Sequence, residues 1–224
     1  MSEVTLTIDG QSVTVPAGTT IWEAAAAAGI DIPVLCHDPR LEPVGVCRVC
    51  AVDIGERTLP AACVRRVEPG MVVHTDTAEI TAHRRVLTEL LLADQSATSR
   101  RETTTGDDAL YALARKLEVG TIPWPDGSEN TPRGHDTSSP VIAVDHQACI
   151  LCDRCVRACD DIQHNDVITR TGKGHATRIA FDLDQPMGQS SCVSCGECVA
   201  VCPTGALTHR ALPERPAHLE EVAS

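Results

Sequence analysis

The hydrophobic residues at the start of the chain alternate with polar ones, a pattern that predicts a β-hairpin. The alternation runs over residues 4–8, meets the turn pair Asp9-Gly10 and resumes over residues 12–15. A second hairpin is predicted within residues 50–59, and a last strand over residues 71–73. These segments indicate a small β-sheet domain.

Three segments carry the signals of helices. Thr19 or Thr20 can cap a short helix over residues 22–28. Between residues 78 and 93 apolar residues return every three or four positions, which predicts an amphipathic helix, and another helix is predicted over residues 107–117. The apolar residues expected near one face of the 78–93 helix are Ile80, Val86, Leu87, Leu90 and Leu91.

These patterns predict an α+β fold with two domains. The first is a ubiquitin-like (β-grasp) domain, followed by a helical connector and, after a linker rich in Pro, Gly and Ser, by a second domain. The expected boundaries are residues 1–78, 79–118, 119–140, 141–210 and a loosely ordered tail over 211–224.

Composition and charge exclude several classes of protein. Only four of the 224 residues are aromatic, so a small module of this kind needs a source of stability besides its core. The formal net charge of −12 argues against nucleic acid and anionic membranes as partners. Neither an apolar run of roughly 20 residues nor a secretory signal is visible, so we expect no direct membrane insertion and a cytoplasmic protein, in which clustered cysteines indicate metal.

All twelve cysteines fall into three groups of four. The first has the spacing C-x10-C-x2-C-x12-C, and the other two share the spacing C-x2-C-x2-C-x3-C. Four cysteines hold one iron–sulfur cluster, so the chain is expected to bind three clusters and to transfer single electrons. The groups are Cys36, Cys47, Cys50 and Cys63; Cys149, Cys152, Cys155 and Cys159; and Cys192, Cys195, Cys198 and Cys202.

The two later groups repeat with an offset of 43 residues and predict a pseudo-symmetric ferredoxin-like domain with two [4Fe–4S] clusters. In such domains the fourth cysteine of each run ligates the other cluster. One cluster is therefore assigned to Cys149, Cys152, Cys155 and Cys202, and the other to Cys192, Cys195, Cys198 and Cys159. Zinc is the alternative, but zinc sites favour separated C-x2-C pairs.

The first group predicts an all-cysteine [2Fe–2S] cluster held by Cys36, Cys47, Cys50 and Cys63, with zinc again as the alternative. Three arginines lie inside the cysteine motifs, and they can raise cluster potentials, dock an acidic partner or balance charge. Charge balance on an acidic chain is the interpretation we favour for them. They are Arg48, Arg154 and Arg157.

Two segments around the first cysteine group carry a resemblance to a known family. The segments IPVLCHDPRL (32–41) and GVCRVC (45–50) resemble the N-terminal domain of the large iron–sulfur subunit of respiratory complex I. The same module opens NAD-dependent formate dehydrogenases, iron-only hydrogenases and the small diaphorase subunit of NAD-reducing hydrogenases. Residues 149–159 and 192–198 most resemble the molybdenum formate dehydrogenases of this group.

One departure from the resemblance is large. The relatives carry a further [4Fe–4S] cluster, held by one histidine and three cysteines, whose ligand positions here fall near Gln95, Ser99, Glu102 and Asp108. No cysteine lies between residues 63 and 149, so this histidine-ligated cluster is expected to be missing unless a partner provides its ligands. His83 is interpreted as a solvent-facing helical residue, and His146 as a surface group or a neighbour of the ligands.

The resemblance implies an electron-relay subunit of a multisubunit oxidoreductase, with no catalytic site of its own. The chain is expected to have no room for a molybdopterin, flavin or hydrogenase domain. Its implied partners are a molybdopterin catalytic subunit, of the formate dehydrogenase type, facing the ferredoxin clusters, and a flavin-containing NAD(P)-reactive subunit facing the [2Fe–2S] cluster. Two alternatives stay open: the diaphorase small subunit of an NAD-linked [NiFe] hydrogenase, and a zinc-stabilised or redox-sensing interaction protein.

Overall fold

The computed structural model describes residues 2–95, 98–124 and 132–210. The chain divides into two units, one of residues 1–90 with 113–121 and the other of residues 91–112 with 122–224. The predicted tail over 211–224 and the central part of the predicted linker, residues 125–131, lie outside the described residues.

The N-terminal unit is built on a three-stranded sheet of order β2-β1-β3. β1 (Glu3–Ile8) pairs antiparallel with β2 (Gln11–Pro16), which confirms the predicted hairpin. β3 (Val72–Val73) runs parallel to β1. The period-two pattern buries alternate side chains of β1 and β2 against one core, because successive side chains of a strand point to opposite faces.

Helix α1 (Ile21–Ala27) packs onto this core and begins where the sequence predicts. Thr20 accepts a hydrogen bond from the Glu23 backbone N–H, and the Glu23 carboxylate accepts one from the Thr20 N–H, which is a capping box. Trp22 donates its indole N–H to the Ile32 carbonyl at 3.0 Å. These bonds fix the path of the chain into the loop that carries Cys36.

The predicted second hairpin is present only as a bridge between Ala51 and Ala61. The Val52 N–H donates to the Pro60 carbonyl, so the two segments do run alongside each other. No strand is formed over the described residues 50–62. Pro60 has no N–H to extend a ladder, which limits the pairing that the alternation of residues predicted.

Helix α2 (Ala78–Ala93) has the predicted bounds, but its buried face differs from the predicted one. Val86 and Leu90 are 41% and 44% exposed, whereas Ile80, Arg84 and Thr88 are buried. Ile80, Arg84 and Thr88 follow one another at four-residue intervals and therefore share one face. The apolar pattern failed here because Arg84 is required inside, where it donates to backbone carbonyls of the loop after Cys47.

Two further helices follow α2. α3 (Arg100–Thr104) was not predicted, while α4 (Ala109–Lys116) lies within the predicted 107–117 helix. Among the described residues no helix is both long enough and apolar enough to cross a lipid bilayer.

Over residues 132–210 the C-terminal unit forms two small antiparallel sheets and the two short α-helices α5 and α6. One sheet has the order β4-β5-β8, and the other pairs β6 with β7. The units β5-α5-β6 and β7-α6-β8 repeat the same order, as the cysteine repeat predicts. The bounds are β4 His135–Asp136, β5 Ile142–Asp145, α5 Arg154–Arg157, which continues as a π-helical turn over Ala158–Ile162, β6 Ile168–Thr171, β7 Arg178–Phe181, α6 Glu197–Val201 and β8 Leu207–His209.

Candidate metal centres

The four cysteines of the first group converge in the N-terminal unit. Cys36, Cys50 and Cys63 are buried and Cys47 is half-buried, all as free thiols. Hydrogen bonds connect Cys36 to Cys47 and Cys63, and the sulfurs of Cys50 and Cys63 lie 3.4 Å apart. A disulfide holds its sulfurs at about 2.05 Å, whereas two thiolates on one tetrahedral metal, with bonds near 2.3 Å, lie roughly 3.8 Å apart. The spacing fits ligands of a shared metal centre.

Hydrogen bonds among these thiols shift their pKa values in opposite directions. The bonds with Cys47 and, to a lesser degree, with Cys63 lower the pKa of Cys36 to about 2, and the bond with Cys63 lowers the pKa of Cys50 to about 7. The same bonds raise the pKa of Cys47 and Cys63. The contacts therefore favour the thiolate form of Cys36 and Cys50, and the thiolate is the form that ligates metal.

The loop around Cys47 directs backbone amides at sulfur. The N–H groups of Val46 and Cys47 donate to the Cys36 sulfur. Arg48, between Cys47 and Cys50, has a left-handed backbone with φ of 60°. Consecutive amides turned inward in this way form an anion-binding concavity of the type found around iron–sulfur clusters.

In the C-terminal unit one cavity is lined by the first three cysteines of the second group together with the last cysteine of the third group. Cys149, Cys152, Cys155 and Cys202 all contribute to its wall, and all four are buried. The Cys202 thiol donates to the Thr204 carbonyl at 3.1 Å. The structure thus brings a cysteine from the far end of the unit to the triad of the first ferredoxin run.

Another cavity is lined by the first three cysteines of the third group together with the last cysteine of the second group. Cys192, Cys195, Cys198 and Cys159 contribute to its wall. Cys159 and Cys198 are buried, Cys192 is half-buried and Cys195 is exposed. The two cavities therefore exchange their fourth cysteines, and the second of them lies closer to the surface.

The two cysteine runs share an unusual backbone. Leu151 and Asp153, which flank Cys152, have φ values of 53° and 59°. The equivalent Ser194 and Gly196, which flank Cys195, have φ values of 58° and 86°. Left-handed residues on both sides of the middle cysteine turn the loop around a centre, and glycine adopts this conformation without strain. The same bend at both positions shows that the sequence repeat is also a structural repeat.

Burial raises the pKa of four thiols in these two cavities, those of Cys149, Cys152, Cys155 and Cys198. Desolvation raises the pKa of Cys149 to about 11 and, together with the nearby Cys202, that of Cys152 to about 12. Desolvation and then Cys192 and Cys195 raise the pKa of Cys198 to about 12. Four thiolates are not stable together in such a cavity unless cationic iron offsets their charge, so iron binding must release protons.

Arginines stabilise the ligand loops, and of the four in the C-terminal unit the sequence analysis singled out only Arg157. Because the loop amides point inward, the carbonyls point outward and need donors, and charged donors form the stronger hydrogen bonds. The pairs in the C-terminal unit are Arg101 to Cys202 O, Arg133 to Cys149 O, Arg157 to Cys152 O and Arg170 to Leu151 O. The composition held a signal, since 17 of the 19 basic residues are arginine, which provides the forked donor that such carbonyls use.

The four residues near which the resemblance places the ligands of a histidine-ligated cluster are polar and take part in hydrogen bonds. Ser99 donates to Asp108, and the Glu102 N–H donates to the Ser99 hydroxyl. Gln95 donates to the Ala148 carbonyl at 3.3 Å. His83, expected to face solvent, is half-buried, and its Nε2 atom is shielded from water.

The donor sets fit iron–sulfur clusters. All three quartets consist of cysteine sulfur, the ligand that such clusters use. Within the described residues no three Cys, His, Asp or Glu side chains surround the position of a single metal ion, a geometry that ligands spread over several irons do not require. His146, predicted to be a surface group or a neighbour of the ligands, is buried and lines neither cysteine cavity, and its backbone carbonyl accepts from the Cys149 N–H at 3.3 Å.

Two families match the two ends of the chain. Residues 1–78 match the 2Fe-2S iron-sulfur cluster binding domain family. Residues 139–208 match the family of the NADH-quinone oxidoreductase subunit 3, ferredoxin-like domain. The N-terminal domain is therefore a 2Fe-2S domain and the C-terminal domain is ferredoxin-like, as predicted.

Curated relatives share nearly the whole chain but are much longer. The NADP-reducing hydrogenase subunit HndD of Solidesulfovibrio fructosivorans is 36% identical over 214 residues, which are 92% of this chain and 36% of that protein. The mitochondrial NADH-ubiquinone oxidoreductase 78 kDa subunit of Candida albicans is 29% identical over 211 residues, 94% of this chain and 29% of that protein. The chain thus spans about a third of the length of these relatives.

A solved structure of similar size also matches. A chain in the crystal structure of NAD+-reducing [NiFe]-hydrogenase in the H2-reduced state superposes with a TM-score of 0.84 at 30% sequence identity. The match covers 93% of this chain and 88% of that one. Both domains and the segment between them therefore have a counterpart in one subunit of known structure.

Proposed function

We propose that this chain, which belongs to the family of iron–sulfur subunits of NAD+-reducing [NiFe] hydrogenases and NADH-quinone oxidoreductases, is an electron relay between two other subunits of its complex. The observation that carries the proposal is the grouping of all twelve cysteines into three quartets, each gathered around its own centre. Such centres supply one-electron redox chemistry when clusters are bound.

The proposed content is one [2Fe–2S] cluster in a β-grasp domain and two [4Fe–4S] clusters in the C-terminal domain, about ten irons per chain. Cys36, Cys47, Cys50 and Cys63 would hold the first cluster. The crossed quartets would hold the other two, a proposal supported by the shared walls of the two cavities. The histidine-ligated cluster of the resembling families would be missing, because Ser99 and Asp108 offer a hydroxyl and a carboxylate in place of thiolates.

Backbone amides, arginines and buried side chains of this chain make the three sites suitable for electron transfer. Backbone amides directed at sulfur stabilise negative charge, which grows by one unit when an electron arrives. Arginines hold the ligand loops from outside through their carbonyls, so the loops need little rearrangement between oxidation states. Burial of the second cysteine quartet excludes water from its centre.

The proposed partners are a flavin-containing NAD(P)-reactive subunit and a catalytic subunit. A hydrogenase catalytic subunit is favoured by the match to a hydrogenase chain of nearly the same extent. A molybdopterin subunit of the formate dehydrogenase type is favoured by the resemblance of residues 149–159 and 192–198 to that group. Either catalytic subunit would require the same electron-relay chemistry from this chain.

Anaerobic purification of the native complex tests the proposal. We expect about ten irons with matching sulfide per chain, signals of one [2Fe–2S] and two [4Fe–4S] clusters, and a flavin in a partner subunit. Nickel or molybdenum in the other partner identifies the catalytic subunit. Zinc in place of iron and sulfide would refute the relay and support the interaction-protein alternative.

A further inference from the structure

The two cysteine cavities of the C-terminal unit are related by the 43-residue repeat, yet their cysteine runs carry opposite charges. Arg154 of the first run corresponds to Glu197 of the second. Arg157 of the first run corresponds to Ala200. Two arginines and one aspartate give the first run a charge of +1, and one glutamate gives the second run a charge of −1. The enclosed centre is the cavity of Cys149, Cys152, Cys155 and Cys202, and the open centre is the cavity of Cys192, Cys195, Cys198 and Cys159.

Backbone amides are directed at sulfur in the same way in both runs. The Leu151 N–H donates to the Cys149 sulfur in the first run. The equivalent Ser194 N–H donates to the Cys192 sulfur at 3.4 Å in the second. The residues on both sides of the middle cysteine are left-handed in each run. The two loops therefore offer similar amide dipoles to their centres, and the difference between the centres lies in charged side chains.

Positively charged side chains gather at the enclosed centre. Arg133 donates to the Cys149 carbonyl at 3.3 Å. Arg170 donates to the Leu151 carbonyl at 2.5 Å. The Arg133 side chain is only 2% exposed, so water screens its charge little. Burial raises the pKa of the Cys149 thiol, and the charges of Arg133 and Arg170 oppose this rise, so both charges act at the sulfur.

Carboxylates offset only part of this positive charge. The four arginines that donate to carbonyls of the ligand loops, together with Arg154, bring five positive charges. Four carboxylates pair with these arginines or accept from the segments that carry the cysteines, so the enclosed centre keeps an excess of +1. Two of the four carboxylates are 42% and 61% exposed and are therefore screened by water. The four are Asp94, Asp107, Asp108 and Asp153.

Carboxylates prevail at the open centre. Asp182 accepts from the backbone N–H and the hydroxyl of Ser191, immediately before the second run, at 2.7 Å and 2.8 Å. Asp160 and Asp161 directly follow Cys159, the fourth cysteine of this centre. With the glutamate of the second run, these three aspartates give the open centre a charge of −4. The repeat thus places two similar cysteine quartets in surroundings of different charge.

We infer that this difference in charge gives the enclosed centre the higher reduction potential, so that an electron within the C-terminal domain rests there. The inference rests on the proposed function. A bound cluster gains one negative charge on reduction, and nearby positive charge stabilises the reduced form. In the transfer between the two centres one electron leaves the open centre, which is oxidised, and reduces the enclosed centre. No bond forms or breaks, and no proton moves.

Water acts in the opposite direction at the open centre, because it stabilises added negative charge there. Only Cys195 of that quartet is exposed, so this effect reaches the centre from one side. The charges of the two surroundings differ by five units, and some of them lie on buried side chains such as Arg133. The charged side chains therefore decide the order of the two potentials.

A redox titration of the anaerobic full-length holoprotein, followed by electron paramagnetic resonance, tests the inference. The signal that Cys149→Ser loses belongs to the enclosed centre, and in the wild type this signal is expected to appear at the higher potential. Arg133→Gln removes a buried charge. It should weaken reduction of the enclosed centre relative to the open one by about tenfold, which is about 59 mV for one electron. Arg133→Lys keeps the charge and should restore the wild-type difference.

Arg170→Gln is a second variant, chosen because the Arg170 side chain is 40% exposed and its replacement disturbs little packing. Its effect should have the same direction and be smaller, about threefold, since water screens this charge more. Lys173→Gln removes the same charge from an exposed residue of the same unit and is the matched control. We expect it to change the difference between the two potentials by less than about twofold.

The outcomes separate this inference from the proposed function. If the wild-type protein shows no [4Fe–4S] signals, the relay itself is refuted. If both signals are present but the open centre is reduced first, the inferred order is wrong. It is also wrong if neither Arg133→Gln nor Arg170→Gln lowers the potential of the enclosed centre more than Lys173→Gln does. Equal shifts in Arg133→Gln and Arg133→Lys would refute charge as the cause, and Arg170→Gln decides if Arg133→Gln fails to assemble its clusters.

Discussion

The Ser99 hydroxyl donates a 2.6 Å hydrogen bond to the Asp108 carboxylate, and both side chains are buried. The same carboxylate accepts from the backbone N–H groups of Leu110 and Gly205, at 2.9 Å and 3.2 Å. A β-carbon on Gly205 would lie 2.7 Å from Ser99, so only glycine permits this approach. Two residues near the expected ligand positions of the histidine-ligated cluster are thus joined by a hydrogen bond.

Replacing Asp108 by alanine is expected to destabilise the C-terminal unit by about 3 kcal/mol, because Ser99, Leu110 and Gly205 lose their buried acceptor together. Asp107→Ala is the matched control. Asp107 is 61% exposed in an ion pair with Arg101, so its removal should cost about 1 kcal/mol or less. Denaturant unfolding of the holoprotein measures both, and equal losses would show that the buried carboxylate is not a structural tie.

The crossed ligand sets predict a specific pattern in double variants. Cys202→Ser alone should remove one [4Fe–4S] cluster, about four irons. Adding Cys149→Ser should then remove nothing further, because both cysteines line the same cavity. Adding Cys195→Ser in place of Cys149→Ser should remove about four more irons, because Cys195 lines the other cavity. Iron analysis and electron paramagnetic resonance read the result, and the opposite pattern would mean that each run holds its own cluster.

Arg84 is expected to be essential for the stability of the [2Fe–2S] site. It donates to the Val49 and Ala51 carbonyls at 3.0 Å each, and burial lowers its pKa. Arg84→Ala leaves both carbonyls without their donor and should lower the free energy of unfolding by about 3 kcal/mol. Its neighbour Arg85, which donates to Leu117 at the exposed side of α2, provides the control Arg85→Ala. Thermal loss of the [2Fe–2S] absorption compares the two, and equal midpoints would contradict the role of Arg84.

Buried His146 predicts a loss of stability in acid. Desolvation and, to a lesser degree, the positive charge of Arg178 lower the pKa of His146 to about 4. The folded protein therefore takes up this proton at a lower pH than the unfolded chain does. Stability linked to this group is present above about pH 6.5 and is lost as the pH falls towards 4, by roughly 3 kcal/mol over that interval. His146→Gln should flatten this dependence. Unfolding midpoints between about pH 7 and pH 4.5 measure it, and parallel curves for both proteins would exclude His146 as the cause.

The elements with local signals were predictable, and those that depend on distant backbone groups were not. The β1–β2 hairpin and the α1 cap follow from alternation and from Thr20 with Glu23, both of which act within a few residues. Arg84 is buried because it donates to carbonyls more than 30 residues earlier in the chain. The periodicity of apolar residues in α2 does not reveal such a contact. The grouping of the cysteines was predictable from their spacing. Most ligands of one cluster lie on a single loop, and the remaining ligand comes from a segment that returns to that loop.

The exposure of Cys195 affects the order in which the clusters are lost to oxidation in air. Oxygen and peroxide reach an iron–sulfur centre fastest where its sulfur ligands meet solvent, and oxidised cysteine no longer ligates iron. In this chain by itself, the centre at Cys195 is open, while the one at Cys155 is enclosed. We therefore expect the clusters to decay in a fixed order, with the Cys195 centre lost first. Damage would then begin at the Cys195 centre and reach the enclosed Cys155 centre last.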